Sequence, residues 1–231
     1  MLINDIERVT GRRLIVYYCN PDVRPSINQQ DAEGFKEILD DIPQGGEYDL
    51  LIESPGGDTD AADTIVSMLQ SKGSFRAIVP GAAKSNATLV CLAAEELIMG
   101  PYSEIGPIDP RIGPENVPAT FWAQKKFAEH PDQFVQVKHL AATDAQKHTE
   151  SIAKNLLTEG MMKGREVNEI MNTVHLLCAY DGENLGTELK RQFYSHGATI
   201  NAHKAKDLHL NVVDMGFGGE LFKSLTEKEV E

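Results

Sequence analysis

The alternation of short β-type runs with helical patterns constrains this chain most. Residues 12–19, Arg-Arg-Leu-Ile-Val-Tyr-Tyr-Cys, form a β-branched and aromatic run between Gly11 and Asn20-Pro21. Further strand candidates follow at Tyr48 to Glu53, Phe75 to Val79 and Leu97 to Met99. Between them, helical periodicity covers Gln29 to Asp40, Thr59 to Gln70 and Ser85 to Glu95, with apolar sets such as Ala62, Ile65, Val66 and Leu69. Strand and helix in turn imply an α/β fold built on a mainly parallel sheet with right-handed crossovers. After Pro118 the pattern becomes helix-rich, with helices expected over Thr143 to Leu157, Gly164 to Ala179 and Glu183 to Tyr194. A short strand, a helix from Asn201 and a last strand are expected between Ile200 and Val213. With 231 residues and 41% hydrophobic content, one core suffices. A single domain over 1–225 and a loose tail over 226–231 are therefore expected.

Ligands of open α/β sheets sit at the carboxyl ends of the strands. Two of those ends carry chemistry here. Tyr48 to Glu53 runs into Ser54-Pro55-Gly56-Gly57-Asp58, where residues without Cβ can aim backbone N–H groups at a developing negative charge. Phe75 to Val79 leads to Ala83-Lys84-Ser85-Asn86-Ala87-Thr88, which places a serine at a helix start. A third segment, Gly106-Pro107-Ile108-Asp109-Pro110, follows. Because both turns follow strands directly, they open on the same sheet edge and together read as an acyl-transfer site. The plainer reading of Ser85 is a helix cap, and that of the glycines an ordinary turn.

Ser-Pro-Gly-Gly, a strand, a serine opening an Ala-rich helix, Glu95-Glu96-Leu97-Ile98-Met99 and Gly-Pro-Ile-Asp-Pro, in that order, resemble the Clp protease/crotonase superfamily. The match is nearest to its serine dehydrogenase proteinase family, relatives of signal peptide peptidase A. The resemblance is dense from Asp49 to Arg111, with an echo in His196-Gly-Ala-Thr-Ile-Asn-Ala-His-Lys-Ala-Lys-Asp-Leu. It implies a serine peptidase that cleaves peptide or protein substrates through an acyl-enzyme on Ser85, without a cofactor. The amides of Gly57 and Asn86 are the implied oxyanion hole. Asn86 departs from the small residue that relatives carry after the serine, so its side chain is expected to narrow the cleft or to add a donor.

The general base is left open. The Clp branch uses a histidine about 25 residues after its serine, where this chain has Asp109-Pro110. The signal peptide peptidase branch uses a downstream lysine, which must be desolvated to act at neutral pH. Lys125, Lys126, Lys138 and Lys147 fit loosely, with Lys138 and Lys147 favoured for a Ser-Lys dyad. His196 is a further candidate as base or orienter, set against a structural histidine at a turn. Asp109 is expected to hold backbone amides before Pro110, and the loop 101–110 that carries it and Ser103 to shape the cleft.

A formal charge of −13 and scattered lysines argue against nucleic acid as a partner. No apolar run approaches the roughly 18 residues of a membrane span, and the start is too short and acidic for a signal peptide, so a cytoplasmic protein without a membrane anchor is expected. Cys19, Cys91 and Cys178 lie in apolar contexts and read as buried free thiols. The histidines show no metal-ligand spacing. A homo-oligomer assembled through the helical part is implied by the resemblance. The rival readings are an inactive Clp-like scaffold and a crotonase-type acyl-CoA enzyme.

Overall fold

The computed structural model describes residues 3–20, 22, 26–179, 193 and 195–215. Its centre is a five-stranded, all-parallel sheet of β1 (Arg13–Tyr18), β2 (Tyr48–Glu53), β3 (Phe75–Val79), β5 (Glu96–Met99) and β9 (Val212–Asp214), in that spatial order. Period-two alternation sorts these strands into two rows of side chains. Ile15, Leu50, Ala77, Leu97 and Val212 are successive register partners on the face that packs into the main core. Leu51, Ile78, Ile98 and Val213 form the corresponding row on the other face.

Three helices supply the main core between strands: α2 (Gln29–Leu39), α3 (Thr59–Lys72) and α4 (Asn86–Leu92). Each of the first two starts where a side chain captures an orphan amide. Asn28 and Asp31 form a reciprocal capping box on α2, and Asp58 accepts from the Ala61 amide at 2.8 Å on α3. Because Asp58 directly follows Gly57, the glycine turn feeds straight into a capped helix. An amino-terminal helix, α1 (Ile3–Thr10), lies outside the sequence expectations and buries Ile6 against the second sheet face. Its single fully apolar anchor explains why periodicity did not reveal it.

The helix expected at Thr143 begins much earlier. It runs as α6 (Gln133–Glu159), capped by Asp132, whose carboxylate accepts from the Phe134 amide. Its second half enters the main core cluster through Ala153, Leu156 and Leu157, while its first half buries Ala142. The first half carries exposed Phe134, Val137 and Leu140 and therefore lacked an inward-facing pattern to read. A short α5 (Ala119–Trp122) precedes it and α7 (Val167–Leu177) follows. The helix expected over Glu183 to Tyr194, position 193 apart, and the tail from 226 lie outside the described residues. The chain closes with α8 (Ala202–Asp207), capped by Asn201, and β9.

A second ladder crosses the carboxyl edge of the sheet, and it positions the site. Ser54 bridges Ala83; β4 (Ala82–Ala83) pairs in parallel with β6 (Glu104–Ile105); Ile105 bridges Ile200, with both N–H to O distances at 3.0 Å. Each rung is followed or preceded within a few residues by a site segment: Gly56-Gly57, Ser85, Asp109 and His196. Segments separated by up to 140 residues in sequence are thereby brought to one edge.

Candidate active site

Ser85 sits at the N-cap of α4, directly before Asn86, with φ 52° and ψ −123°, a conformation that L-residues avoid. Holding it costs about 1–3 kcal/mol, and such strain persists only where surrounding contacts impose it. Here they do. The Lys84 amide donates to Ser54 O at 2.9 Å, and the Ala87 amide returns to Lys84 O at 2.9 Å. Its hydroxyl makes no capping bond to the helix, so the plain capping reading does not describe it. A strained strand-to-helix turn is the device by which acyl-transfer serines are presented free of the backbone.

The glycine turn is fitted against this serine. A Cβ on Gly56, whose φ is +97°, would meet Ser85 Cβ at 2.7 Å and Asn86 N at 2.9 Å. One on Gly57 would strike Ile27 O at 2.3 Å. Only glycine fits at either place. Ile27 N–H donates to Gly56 O at 2.7 Å, and in a trans peptide the following N–H points the opposite way. The Gly57 N–H is thus turned away from Ile27. The Gly56 amide is engaged by Ser54 Oγ at 3.1 Å.

Ser85, Asn86, Gly56 and Gly57 share a cavity of about 450 Å³ with Thr59, Asp109, Arg111, His148, Thr149 and His196 among its lining residues. Thr88 fixes the Asp109 loop to α4, since its hydroxyl contacts Ala83 O at 2.8 Å and Gly106 O at 3.0 Å and accepts from the Gly106 amide at 3.1 Å. Asp109 is 2% exposed and does not serve backbone amides as expected. One carboxylate oxygen meets His196 Nδ1 at 2.8 Å, and the other lies 3.6 Å from the Arg111 guanidinium. With Nδ1 engaged by the carboxylate, Nε2 is the ring nitrogen of His196 left for a second partner.

Of the residues anticipated as base, His196 lines the cavity. Lys138 and Lys147 are not among the lining residues. The Lys138 ammonium lies 3.6 Å from Glu115 and 4.7 Å over the Trp122 ring, while Lys147 is exposed on α6. Lys84, next to the serine, points to the ladder instead, where its ammonium meets Glu104 at 2.9 Å and the Ile105 and Ala198 carbonyls at 3.3 Å. Ser103 is buried and bonds Val79 O and the Gly100 amide, which fastens the loop whose Ile108, Asp109 and Pro110 line the cavity. Sequence reasoning missed Arg111 and His148 as cavity residues and the partner of Asp109. The one available signal was Asp109 itself, a carboxylate without an obvious partner at the position where a histidine was sought.

The family model of the ClpP-like SDH-type serine proteinases matches residues 15–213. The chain belongs to that family. Two uncharacterized proteins of Methanocaldococcus jannaschii are 29% identical over 190 residues and 31% identical over 120 residues. These alignments cover 80% and 48% of this chain. The chain spans only 60% and 41% of the lengths of those two relatives. Among solved structures, a ClpP1 variant from Listeria monocytogenes is similar with a TM-score of 0.50 at 15% identity, covering 90% of this chain and 95% of that one. At that identity the likeness concerns the fold. Among the described residues, no helix is long and apolar enough to cross a membrane.

Proposed function

We propose that this member of the SDH-type proteinase family hydrolyses peptide bonds through an acyl-enzyme on Ser85. His196, oriented by Asp109, is the general base. The observation that carries this reading is the strained, uncapped Ser85 in one cavity with an imidazole whose Nδ1 is held by a buried carboxylate. Ser85 Oγ adds to the peptide carbonyl carbon while its proton passes to His196 Nε2. The oxygen of the tetrahedral intermediate takes hydrogen bonds from the Gly57 and Asn86 amides. Collapse breaks the C–N bond, and His196 returns the proton to the leaving amine. Water, deprotonated by the same imidazole, then releases the acyl group and restores Ser85.

A lysine base draws less support, because the Lys138 ammonium is engaged by Glu115 and Trp122 and Lys147 faces outward. Homo-oligomerisation belongs to the same proposal. The row Phe134, Val137 and Leu140 is 60–66% exposed on α6, an apolar strip suited to burial between copies and testable by light scattering.

Fluorophosphonate labelling followed by peptide mass analysis tests the mechanism. Labelling at Ser85, lost in Ser85→Ala and slowed strongly in His196→Gln but not in Lys138→Met or Lys147→Met, supports it. Labelling that survives His196→Gln and vanishes with either lysine variant restores the Ser-Lys dyad. Absence of any labelling favours the scaffold reading.

A further inference from the structure

The residue after the serine was expected to narrow the cleft or to lend it a donor, and the structure gives its side chain another task. Asn86 is 9% exposed, and its carboxamide nitrogen donates to the Gly57 carbonyl and, at 3.0 Å, to Thr59 Oγ1. The amide orientation is fixed by chemistry, since a carbonyl oxygen can only accept. Both hydrogens of the carboxamide are spent on these two partners, so none remains for a substrate.

The geometry of Gly57 explains why such a contact matters. Its two flanking peptide planes are held from one side by the same residue, through Ile27 N–H to Gly56 O at 2.7 Å and Asp58 N–H to Ile27 O at 2.9 Å. In consequence the Gly57 carbonyl, like its own N–H, faces away from Ile27. It faces Asn86. An unpaired carbonyl oxygen there would set a partial negative charge beside the N–H meant to receive an oxyanion. A glycine, free of the usual steric limits, would also be free to rotate that plane.

We infer that the Asn86 side chain is a positioning residue that locks the Gly57 peptide to the Ser85 turn and neutralises the Gly57 carbonyl. The two oxyanion donors are thereby held as one rigid unit, one from the backbone of Asn86 and the other clamped by its side chain. This rests on the acyl-transfer reading above and adds a residue-level requirement to it. Thr59, on the first turn of α3, anchors the far side of the clamp.

The test uses the full chain, a fluorophosphonate probe and p-nitrophenyl acetate. Asn86→Ala keeps the backbone N–H, so a role confined to that amide predicts no change. The clamp predicts a fall in kcat of about 10- to 100-fold with KM within about twofold, because the loss is felt as charge develops. Thr59→Val, which removes one leg at a half-buried position, should lower kcat by about threefold or more, and it serves if Asn86→Ala folds poorly. Asn86→Asp supplies a readout that packing alone would not move. An ionised aspartate opposes the Gly57 carbonyl and a protonated one can donate, so the ratio of its activity to that of the unaltered protein should rise as pH falls. Unchanged kcat in Asn86→Ala and Thr59→Val, while the unaltered chain labels at Ser85, overturns the clamp and leaves the peptidase reading standing. If the unaltered chain neither labels nor turns over, both fall together.

Discussion

Gly56 is packed so closely against Ser85 that a single added carbon at residue 56 would lie 2.7 Å from Ser85 Cβ. The same carbon would meet the Lys84 carbonyl at 2.7 Å, so backbone as well as side chain must give way. Gly56→Ala is therefore expected to shift the serine turn and to slow fluorophosphonate labelling of Ser85 by about 100-fold or more, since an ångström of misplacement costs about that much. Strain at φ +97° should also lower stability by about 1–3 kcal/mol in a denaturant titration. Gly34→Ala is the control. It sits in α2 with nothing within 4 Å of the new carbon, and it should stabilise by about 0.5–1 kcal/mol with labelling unchanged.

The Asp109–His196 pair yields a second expectation. His196→Gln should lower kcat by about 10²- to 10⁴-fold, the range for a general base, and Asp109→Asn should follow because the imidazole loses the partner that fixes its tautomer. Lys138→Met should leave kcat within about twofold and cost about 1 kcal/mol or less, since it removes a partly exposed ion pair and contacts with the Trp122 and Phe134 rings. Steady-state kinetics on the four-variant set with Lys147→Met would separate the imidazole from the lysines in one experiment.

The strands at Tyr48–Glu53 and Phe75–Val79 and the helix starting at Thr59 were legible in sequence because each carries a dense apolar pattern bounded by turn residues. The Ser85 turn and the glycine turn were legible for a related reason: their conformations depend on the local backbone. The Asp109–His196 contact was not legible. His196 reaches Asp109 across 87 positions only because Ile105 bridges Ile200, a two-residue contact with no periodic signature. The amino-terminal half of α6 escaped notice for the opposite reason, as its apolar residues face outward rather than into the core.

Glu104 should make stability depend on pH in a definite direction. Burial pushes its carboxyl up, but hydrogen bonds from Thr199 and Lys84 and the Lys84 charge outweigh that and leave it below its ordinary value. A carboxyl lowered by folding stabilises fully above its unfolded pKa and loses that contribution as pH falls through the folded one. The stability gap between the unaltered chain and Glu104→Gln should therefore be constant above about pH 5 and shrink on acidification. Because Lys84 adjoins Ser85 and also holds Ala198 O, two residues from His196, the same variant should loosen the site and slow labelling at neutral pH.

The thiols offer a probe of the core that does not depend on the enzymatic reading. Cys91 lies on α4, fully buried, and desolvation pushes its thiol up to about 12. Cys178 is pushed up further by burial, with the Glu150 and Asp109 carboxylates adding to it. Since the thiolate is the reactive form, both are doubly protected, by exclusion of reagent and by protonation. Under native conditions a thiol-specific disulfide reagent should not modify either residue, whereas three thiols should react in strong denaturant. In mild denaturant the modification rates of Cys91 and Cys178 should match each other, because α4 and the end of α7 belong to one hydrophobic cluster and should open together. A markedly faster Cys178 would mean that α7 leaves the shared core before α4 does and forms a separate unfolding unit.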